Sequence, residues 1–153
     1  MINYKTNFLT LFAFSSIIKY IPCGGDIILS QQQAEKLRII SAFRKYTRLG
    51  LASGRLSPFD AYARIKGVSR NESDARDLLA VYDTIRLLKI SGKNDVLESV
   101  YAVYFSYMGR LPKKNEISNR VLRHAYETNC DERTVYRRLE YARRLYKSLR
   151  YNY

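Results

Sequence analysis

The last 23 residues of the chain carry apolar side chains at a spacing that places them on one face of an α-helix. When residues advance by 100° around a helix axis, four apolar side chains fall within about 40° of Val135: Leu139, Ala142, Tyr146 and Leu149. Helical spacing recurs from residue 30 onward, and the alternating patterns that strands require are scarce. The sequence therefore predicts an all-α fold of five or six helices.

Capping residues and glycines divide this helical sequence into segments. Ser57, followed by a proline and an acid, is typical of a helix start, and so are Asn71, Asn94 or Asp95, and Asp131. Gly50, Gly67, Gly92, the basic loop at 109–114 and the turn at 129–130 mark predicted helix ends. The first helix covers 30–49, the helix from Ser57 ends at about Lys66, and the last one ends at about Leu149.

The apolar stripes of these segments predict which side chains form the core. Residues 96–104 are apolar almost all round the helix, which indicates burial at the centre of a bundle. In the first helix, Leu37, Ile40 and Phe43 are predicted to face inward, with Ile39 on the flank. In the helix at 115–128 the inward residues are Ile117, Val121, Leu122 and Ala125. Most tyrosines, including Tyr82, Tyr101, Tyr104 and Tyr146, lie on such stripes and are predicted core residues.

The chain is strongly basic. Lysine and arginine number 27 against 14 acids, which gives a formal net charge of +13. Such an excess is not required for folding, and mutual repulsion weakly opposes it. A polyanionic partner is therefore the first hypothesis.

The residue types that common enzyme sites need are largely missing from the sequence. With two Cys and one His, neither a four-ligand Cys/His zinc site nor a disulfide framework can be built. His124 is predicted to be a surface or partly buried side chain, and Cys130 a small reduced turn residue. Asp74, Asp77 and Asp83 fit a solvated charged face, because Glu72/Arg76 and Asp83/Arg86 have helix-pair spacing. We therefore predict no catalysis, no metal and no cofactor.

Residues 1–29 differ from the rest of the chain. Phe8–Ile18 is an apolar run of eleven residues, whereas a span of the bilayer takes about 20. No small-x-small cleavage site follows the run. Residues 24–26 (GGD) can be encoded by a bacterial ribosome-binding sequence, and Leu29 can be encoded by an alternative start codon. We interpret residues 1–28 as translated upstream sequence, with a hydrophobic N-terminal helix or a secretory signal as the alternatives.

Residues 94–150 have the order of elements that a helix-turn-helix requires. A buried helix and a loop are followed by a second helix, a tight turn and a long basic helix. On this last helix, Arg133, Arg137 and Arg144 lie within about 20° of the direction opposite to Val135. Tyr136 and Lys147 lie on one shoulder of that ridge and Thr134 on the other.

This arrangement is suited to a DNA duplex. A guanidinium fork can bind guanine O6 and N7, and threonine and tyrosine hydroxyls can donate to phosphates. The N–H groups at the helix start add to the attraction for phosphate. From residue 131 to 153, seven basic residues stand against three acids. The predicted DNA-binding residues are Arg133, Thr134, Tyr136, Arg137, Arg144 and Lys147.

The sequence DERTVYRRL at 131–139, followed by ARRL at 142–145, resembles the recognition helix of sigma-factor region-4-like domains. It is similar in particular to phage regulators of the RinA and ArpU type, whose C-terminal module carries the pattern S-x-R-T-x-Y-R-x-x-x-x-A. Residue 131 is Asp where that family commonly has Ser or Thr, and Asp also caps helices well. The resemblance implies regulation of late phage or prophage operons. By position, it implies that Arg133, Thr134, Tyr136 and Arg137 face DNA.

We therefore expect a sequence-specific transcriptional regulator that binds double-stranded DNA in the bacterial cytoplasm, on the nucleoid. A helix-turn-helix module would cover 93–153. Residues 30–92 would form a surface for dimerisation or for contact with RNA polymerase. No clear heptad pattern specifies the oligomer.

Three alternatives stay open at this point. The basic helix could be only a solvated face. The protein could be a small terminase subunit, a phage DNA-packaging adaptor that also combines a helix-turn-helix with oligomerising helices. It could also be a membrane-associated protein, anchored by residues 1–22 and with basic helices on anionic lipid.

Overall fold

The computed structural model describes residues 30–53, 56–105, 113 and 115–153. Within these ranges the chain forms helices and no strands, which confirms the predicted all-α fold. The helices are α1 (Gln31–Arg48), α2 (Pro58–Val68), α3 (Glu72–Ile90), α4 (Asn94–Val100), α5 (Glu116–Glu127) and α6 (Glu132–Arg150). A 3-10 turn (Leu51–Ser53) follows α1, and α4 continues as a π-helical segment (Tyr101–Phe105).

Side-chain caps begin three of the helices as predicted. Ser57 accepts a hydrogen bond from the backbone N–H of Asp60 at 3.2 Å, and Asn71 accepts one from that of Asp74 at 2.8 Å. Asp131 accepts one from the N–H of Arg133 at 2.8 Å. Each of these bonds satisfies a donor that the first helical turn leaves without a backbone partner.

Two predicted helix boundaries are wrong. The cap position of α4 is occupied by Lys93, which makes no side-chain capping bond, and Asn94 is already helical. Helix α2 continues through Gly67 to Val68, because a glycine lowers helix propensity without blocking the next hydrogen bond. The predicted leader at 1–29 lies outside the described residues. So does the basic loop at 109–114, apart from Lys113.

The core of the unit Gln31–Tyr153 is centred on the aromatic ring of Phe43. Its centroid lies 5.4 Å from that of Tyr104 and 5.8 Å from those of Phe105 and Tyr146, so α1, the π-helical segment and α6 meet there. Tyr104 and Tyr146 are fully buried, and Tyr82 and Tyr101 pack half-buried against the core. The prediction that these tyrosines are core residues is confirmed for Tyr104 and Tyr146, whereas Tyr82 and Tyr101 lie at the edge of the core.

Two predicted inward-facing leucines lie on the surface. The side chain of Leu37 is 41% exposed, whereas Ile39, predicted on the flank, is only 2% exposed. On α5 the buried face is formed by Val121 and Ala125, and Leu122 is 56% exposed. An apolar stripe covers 100° or more of the helix surface, so the residues at its edge depend on where the neighbouring helices lie.

The acidic residues of α3 are not a solvated face, and that prediction is wrong. Asp74 is paired with Lys45 of α1. Asp77 receives a hydrogen bond from Tyr146 at 3.0 Å and is paired with Arg38 and Arg150. Asp83 receives hydrogen bonds from Tyr62 and Tyr153. The carboxylates of α3 therefore connect it to α1, α2 and the C-terminal end of the chain. Of the two predicted pairs within the helix, Glu72 and Arg76 form one, whereas Asp83 is bonded to tyrosines and makes no ion pair with Arg86, which the structure also describes.

No helix in the described ranges combines the length and the apolar character needed to cross a bilayer.

Candidate nucleic-acid interface

Helices α5 and α6 are joined by a short turn that packing and hydrogen bonds hold in place. Asn129 adopts a left-handed backbone conformation with φ 49°, which asparagine tolerates better than most residues. The N–H of Cys130 donates to the carbonyl of Ala125 at 2.9 Å, and Asp131 then caps α6. Because Ala125 and Val135 are both buried, the start of α6 is held against α5.

The buried stripe of α6 orients its opposite face outward. Val135, Leu139, Ala142 and Tyr146 are buried, as their spacing predicts. Through this stripe α6 packs against α3, α4 and α5. The rotation of α6 about its axis is thereby determined, and the side chains on the far side point to solvent.

The seven basic side chains of α6 fall into two sets. Four of them form ion pairs with carboxylates of the chain: Arg138 with Asp95, Arg143 with Glu140, Lys147 with Glu35, and Arg150 with Asp77. The other three, Arg133, Arg137 and Arg144, are exposed, and none of them is ion-paired within the described part of the chain. The unpaired positive charge of α6 is thus collected on one side of the helix.

We call Arg133, Arg137 and Arg144 the arginine ridge. At 1.5 Å per residue the ridge extends over about 16 Å of helix axis. Tyr141 and Ser148 are also exposed and continue the same side of the helix. The ridge therefore presents three guanidiniums, without a neutralising carboxylate in the described residues, along an accessible helix surface.

The other predicted DNA-binding residues lie in different surroundings. Thr134 is half-buried in the first turn of α6, and Tyr136 is exposed one turn along. Together with Arg133 and Arg137, they lie in the first two turns of α6. Lys147 lies about three turns further along the helix, and its ammonium is 2.7 Å from the carboxylate of Glu35 on α1. We therefore expect Lys147 to contribute less to phosphate binding than the sequence suggested.

The N-terminus of α6 is less attractive to phosphate than the sequence suggested. The carboxylate of Asp131 already accepts the N–H of Arg133 and occupies the place that an anion would take. Glu132 adds a second negative charge in the first turn. Attraction for a polyanion at this end must therefore come from side chains.

A buried ionic cluster positions α5, the helix that supports α6. Arg120 donates to the carboxylate of Glu116 at 2.6 Å and to the carbonyl of Val103 at 2.9 Å. The guanidinium of Arg44, on α1, lies 3.7 Å from the same carboxylate. The cluster thus connects α5 both to α1 and to the π-helical segment. Sequence reasoning missed it, because the spacing of Arg120 and Glu116 resembles an ordinary surface pair.

Glu116 also receives a hydrogen bond from the backbone N–H of Lys113 at 2.8 Å. Burial alone would raise the pKa of this carboxyl. The N–H of Lys113 and the guanidiniums of Arg120 and Arg44 oppose that effect, and the net result is a pKa below the ordinary value. Folding therefore favours the ionised form of Glu116.

This shift predicts a loss of stability in acid. Because the pKa is lowered in the folded state, the contribution of Glu116 is complete above the pKa of the unfolded chain and is lost as the pH falls through the lowered folded value. We expect wild-type protein to lose stability below about pH 4.5, the ordinary pKa of glutamate. The variant Glu116→Gln should be less stable at pH 7 and should lose less on acidification. Urea denaturation at pH 7, 5, 4 and 3 measures both effects. Parallel pH profiles for the two proteins would contradict this assignment.

His124 is buried, with 6% of its surface exposed, so the prediction of a surface or partly buried side chain is wrong. Its Nε2 lies 3.1 Å from the hydroxyl of Ser99, which is also buried and lies on α4. This hydrogen bond joins α4 to α5, and the hydroxyl of Ser99 also donates to the carbonyl of Asp95 at 2.9 Å. Cys130 is half-buried in the turn, 3.2 Å from the hydroxyl of Thr128. In the described ranges, no three side chains of His, Cys, Asp or Glu converge as metal ligands would.

Comparisons with protein-family models, with curated proteins and with solved structures find no match to this chain.

Proposed function

We propose that this protein binds double-stranded DNA sequence-specifically and regulates transcription, with α6 lying in the major groove. The observation that carries the proposal is the division of the basic residues on α6. Four are neutralised by carboxylates, while Arg133, Arg137 and Arg144 share one exposed side without a partner in the described ranges.

The dimensions of α6 fit this role. A major groove about 12 Å wide admits one α-helix with its side chains. Helix α6 packs against α3, α4 and α5 through its buried face. The ridge on the opposite face can therefore enter a groove without unfolding any part of the core. Helix α5 precedes α6 across a tight turn, in the order in which a helix-turn-helix places its supporting helix.

The clustering of three arginines on one face supports this function over a merely solvated helix face. Acids three or four residues away can pair with surface arginines, as Glu127 does with Arg123 on α5. Glu140 lies at that distance from Arg137 and Arg144, but its carboxylate is paired with Arg143. On the ridge, positions 133, 137, 141, 144 and 148 contain no acid at all. An uncompensated row of guanidiniums is what neutralisation of phosphates and recognition of bases both require.

The similarity of residues 131–145 to the RinA and ArpU type extends the proposal to the control of late phage or prophage operons. In that role the protein would act in the bacterial cytoplasm, on the nucleoid. Helices α1 to α3 would then provide the surface for a second subunit or for RNA polymerase.

The proposal is tested by removing the ridge. DNA binding is measured by fluorescence anisotropy on a labelled duplex, with the full chain, across a series of salt concentrations. The triple variant with Arg133, Arg137 and Arg144 changed to alanine should bind roughly one hundred-fold more weakly at 0.15 M salt. The slope of log affinity against log salt should become shallower by about 0.9 for each of the three side chains that neutralises a phosphate.

A matched control carries the same loss of charge elsewhere. Arg64, Arg70 and Arg86 are exposed arginines outside α5 and α6, and their triple alanine variant also removes three positive charges. If the two triple variants weaken binding equally, α6 is not the DNA-binding element. Multi-angle light scattering on the wild-type protein tests the packaging alternative, because a ring of many subunits would favour a terminase adaptor over a regulator.

A further inference from the structure

Resting on the proposed DNA binding, we infer that Arg133 and Arg137 each read one guanine, and that the two guanines lie no more than two base-pair steps apart. Arg144, on the same ridge, contacts the phosphate backbone instead. This assignment predicts part of the DNA sequence that the protein selects.

The spacing of the two arginines sets the spacing of the guanines. Arg133 and Arg137 are one helical turn apart, which is about 6 Å along the axis. Base pairs are stacked about 3.4 Å apart, so the two backbone positions are separated by about two steps when the helix axis runs parallel to the DNA axis. Two arginine side chains that extend in parallel from these positions reach bases at the same spacing. Any inclination of α6 along the groove shortens that distance. In zinc fingers, helix residues three or four apart contact successive bases.

The positions of the neighbouring side chains indicate that Arg133 and Arg137 contact bases rather than phosphates. Tyr136 and Thr134 lie on opposite shoulders of the ridge, about 80° to either side of its centre. When α6 lies in a groove, these shoulders face the two flanking backbones, where hydroxyls donate to phosphates. The guanidiniums between them point at the floor of the groove, and the bidentate contact of arginine with guanine O6 and N7 is the commonest specific contact there.

Arg144 is too far along the helix for the same role. It lies seven residues, or about 10 Å, beyond Arg137. A straight helix touches the floor of the curved major groove over only a few turns, and the recognition residues of helix-turn-helix proteins belong to the N-terminal part of the helix. At the position of Arg144 the nearest groups of the duplex are backbone phosphates.

The experiment is selection of bound duplexes from random DNA with the full chain, repeated with Arg133→Lys, Arg137→Lys and Arg144→Lys. Lysine keeps the positive charge but lacks the planar fork that contacts both guanine acceptors. Wild-type protein should enrich a motif with two guanines one or two steps apart. Each of the first two variants should lose the preference for a different one of them, by roughly 5- to 150-fold in relative affinity. Arg144→Lys should select the same motif as the wild type.

Two results would overturn the inference while the proposed function stands. One is an enriched motif without guanines at this spacing. The other is an enriched motif that neither Arg133→Lys nor Arg137→Lys alters. Absence of any duplex binding by the wild-type protein, measured by anisotropy before the selection, would overturn the proposed function and this inference with it. Circular dichroism of each lysine variant verifies that the helices are retained.

Discussion

Replacing Arg120 with alanine is expected to lower the free energy of unfolding by about 3–5 kcal/mol. Its side chain is only 9% exposed, and it supplies hydrogen bonds to the carboxylate of Glu116 and to the carbonyl of Val103. Removing it leaves both acceptors in a poorly hydrated site, with Arg44 at 3.7 Å as the remaining counterion of Glu116. The loss of stability arises mainly because these two buried acceptors lose their hydrogen bonds, rather than from the strength of the original contact.

The matched control is Arg123→Ala on the same helix. Arg123 is also paired with a glutamate four residues away, at 2.8 Å, but its side chain is 80% exposed. An exposed pair of this kind contributes about 0.3–0.5 kcal/mol. Urea denaturation followed by circular dichroism compares the two variants directly. Equal losses of stability in Arg120→Ala and Arg123→Ala would show that the cluster is not buried as the structure describes.

Phe43→Ala is expected to have a comparably large effect, a loss of about 3–5 kcal/mol in the free energy of unfolding. The ring is completely buried between Tyr104, Phe105 and Tyr146. Truncation removes apolar surface from the core and leaves a cavity at the point where α1, the π-helical segment and α6 meet. Because α6 carries the arginine ridge, we also expect weaker DNA binding wherever the variant is partly unfolded.

Leu37→Ala is the matched control for Phe43→Ala, because both residues lie on α1 and both were predicted from the sequence to face inward. The structure exposes 41% of Leu37, so we expect a loss below about 1 kcal/mol. A loss at Leu37 as large as that at Phe43 would mean that α1 is rotated toward the orientation that its apolar stripe suggested. Guanidinium chloride denaturation at pH 7, with the slopes compared as well as the midpoints, measures both changes.

The arginine ridge could be found in the sequence because every feature that orients it is local. The spacing of Val135, Leu139, Ala142 and Tyr146 defines the buried face, and helical geometry places Arg133, Arg137 and Arg144 opposite to it. The caps at Ser57, Asn71 and Asp131 were found for the same reason, since a cap and its acceptor are separated by two or three residues.

Contacts between distant segments could not be found in this way. Nothing in the sequence links Lys147 to Glu35, which are 112 positions apart, or Asp77 to Tyr146 and Arg150. The same holds for His124 and Ser99. The sequence does not indicate whether a charged side chain is solvated or is paired with a residue of another helix. The assignment of Lys147 as a DNA-binding residue and of α3 as a solvated acidic face both rested on that ambiguity.

The sequence pattern over neighbouring residues thus determined that this chain is helical, where most helices begin, and which side of α6 faces away from the core. Only the tertiary structure decided which of the seven basic residues on α6 remain available to a partner, because neutralisation of the other four depends largely on carboxylates from α1, α3 and α4. The physical reason is that helical periodicity is encoded within a few residues, whereas the pairing of a charge depends on which helices pack together.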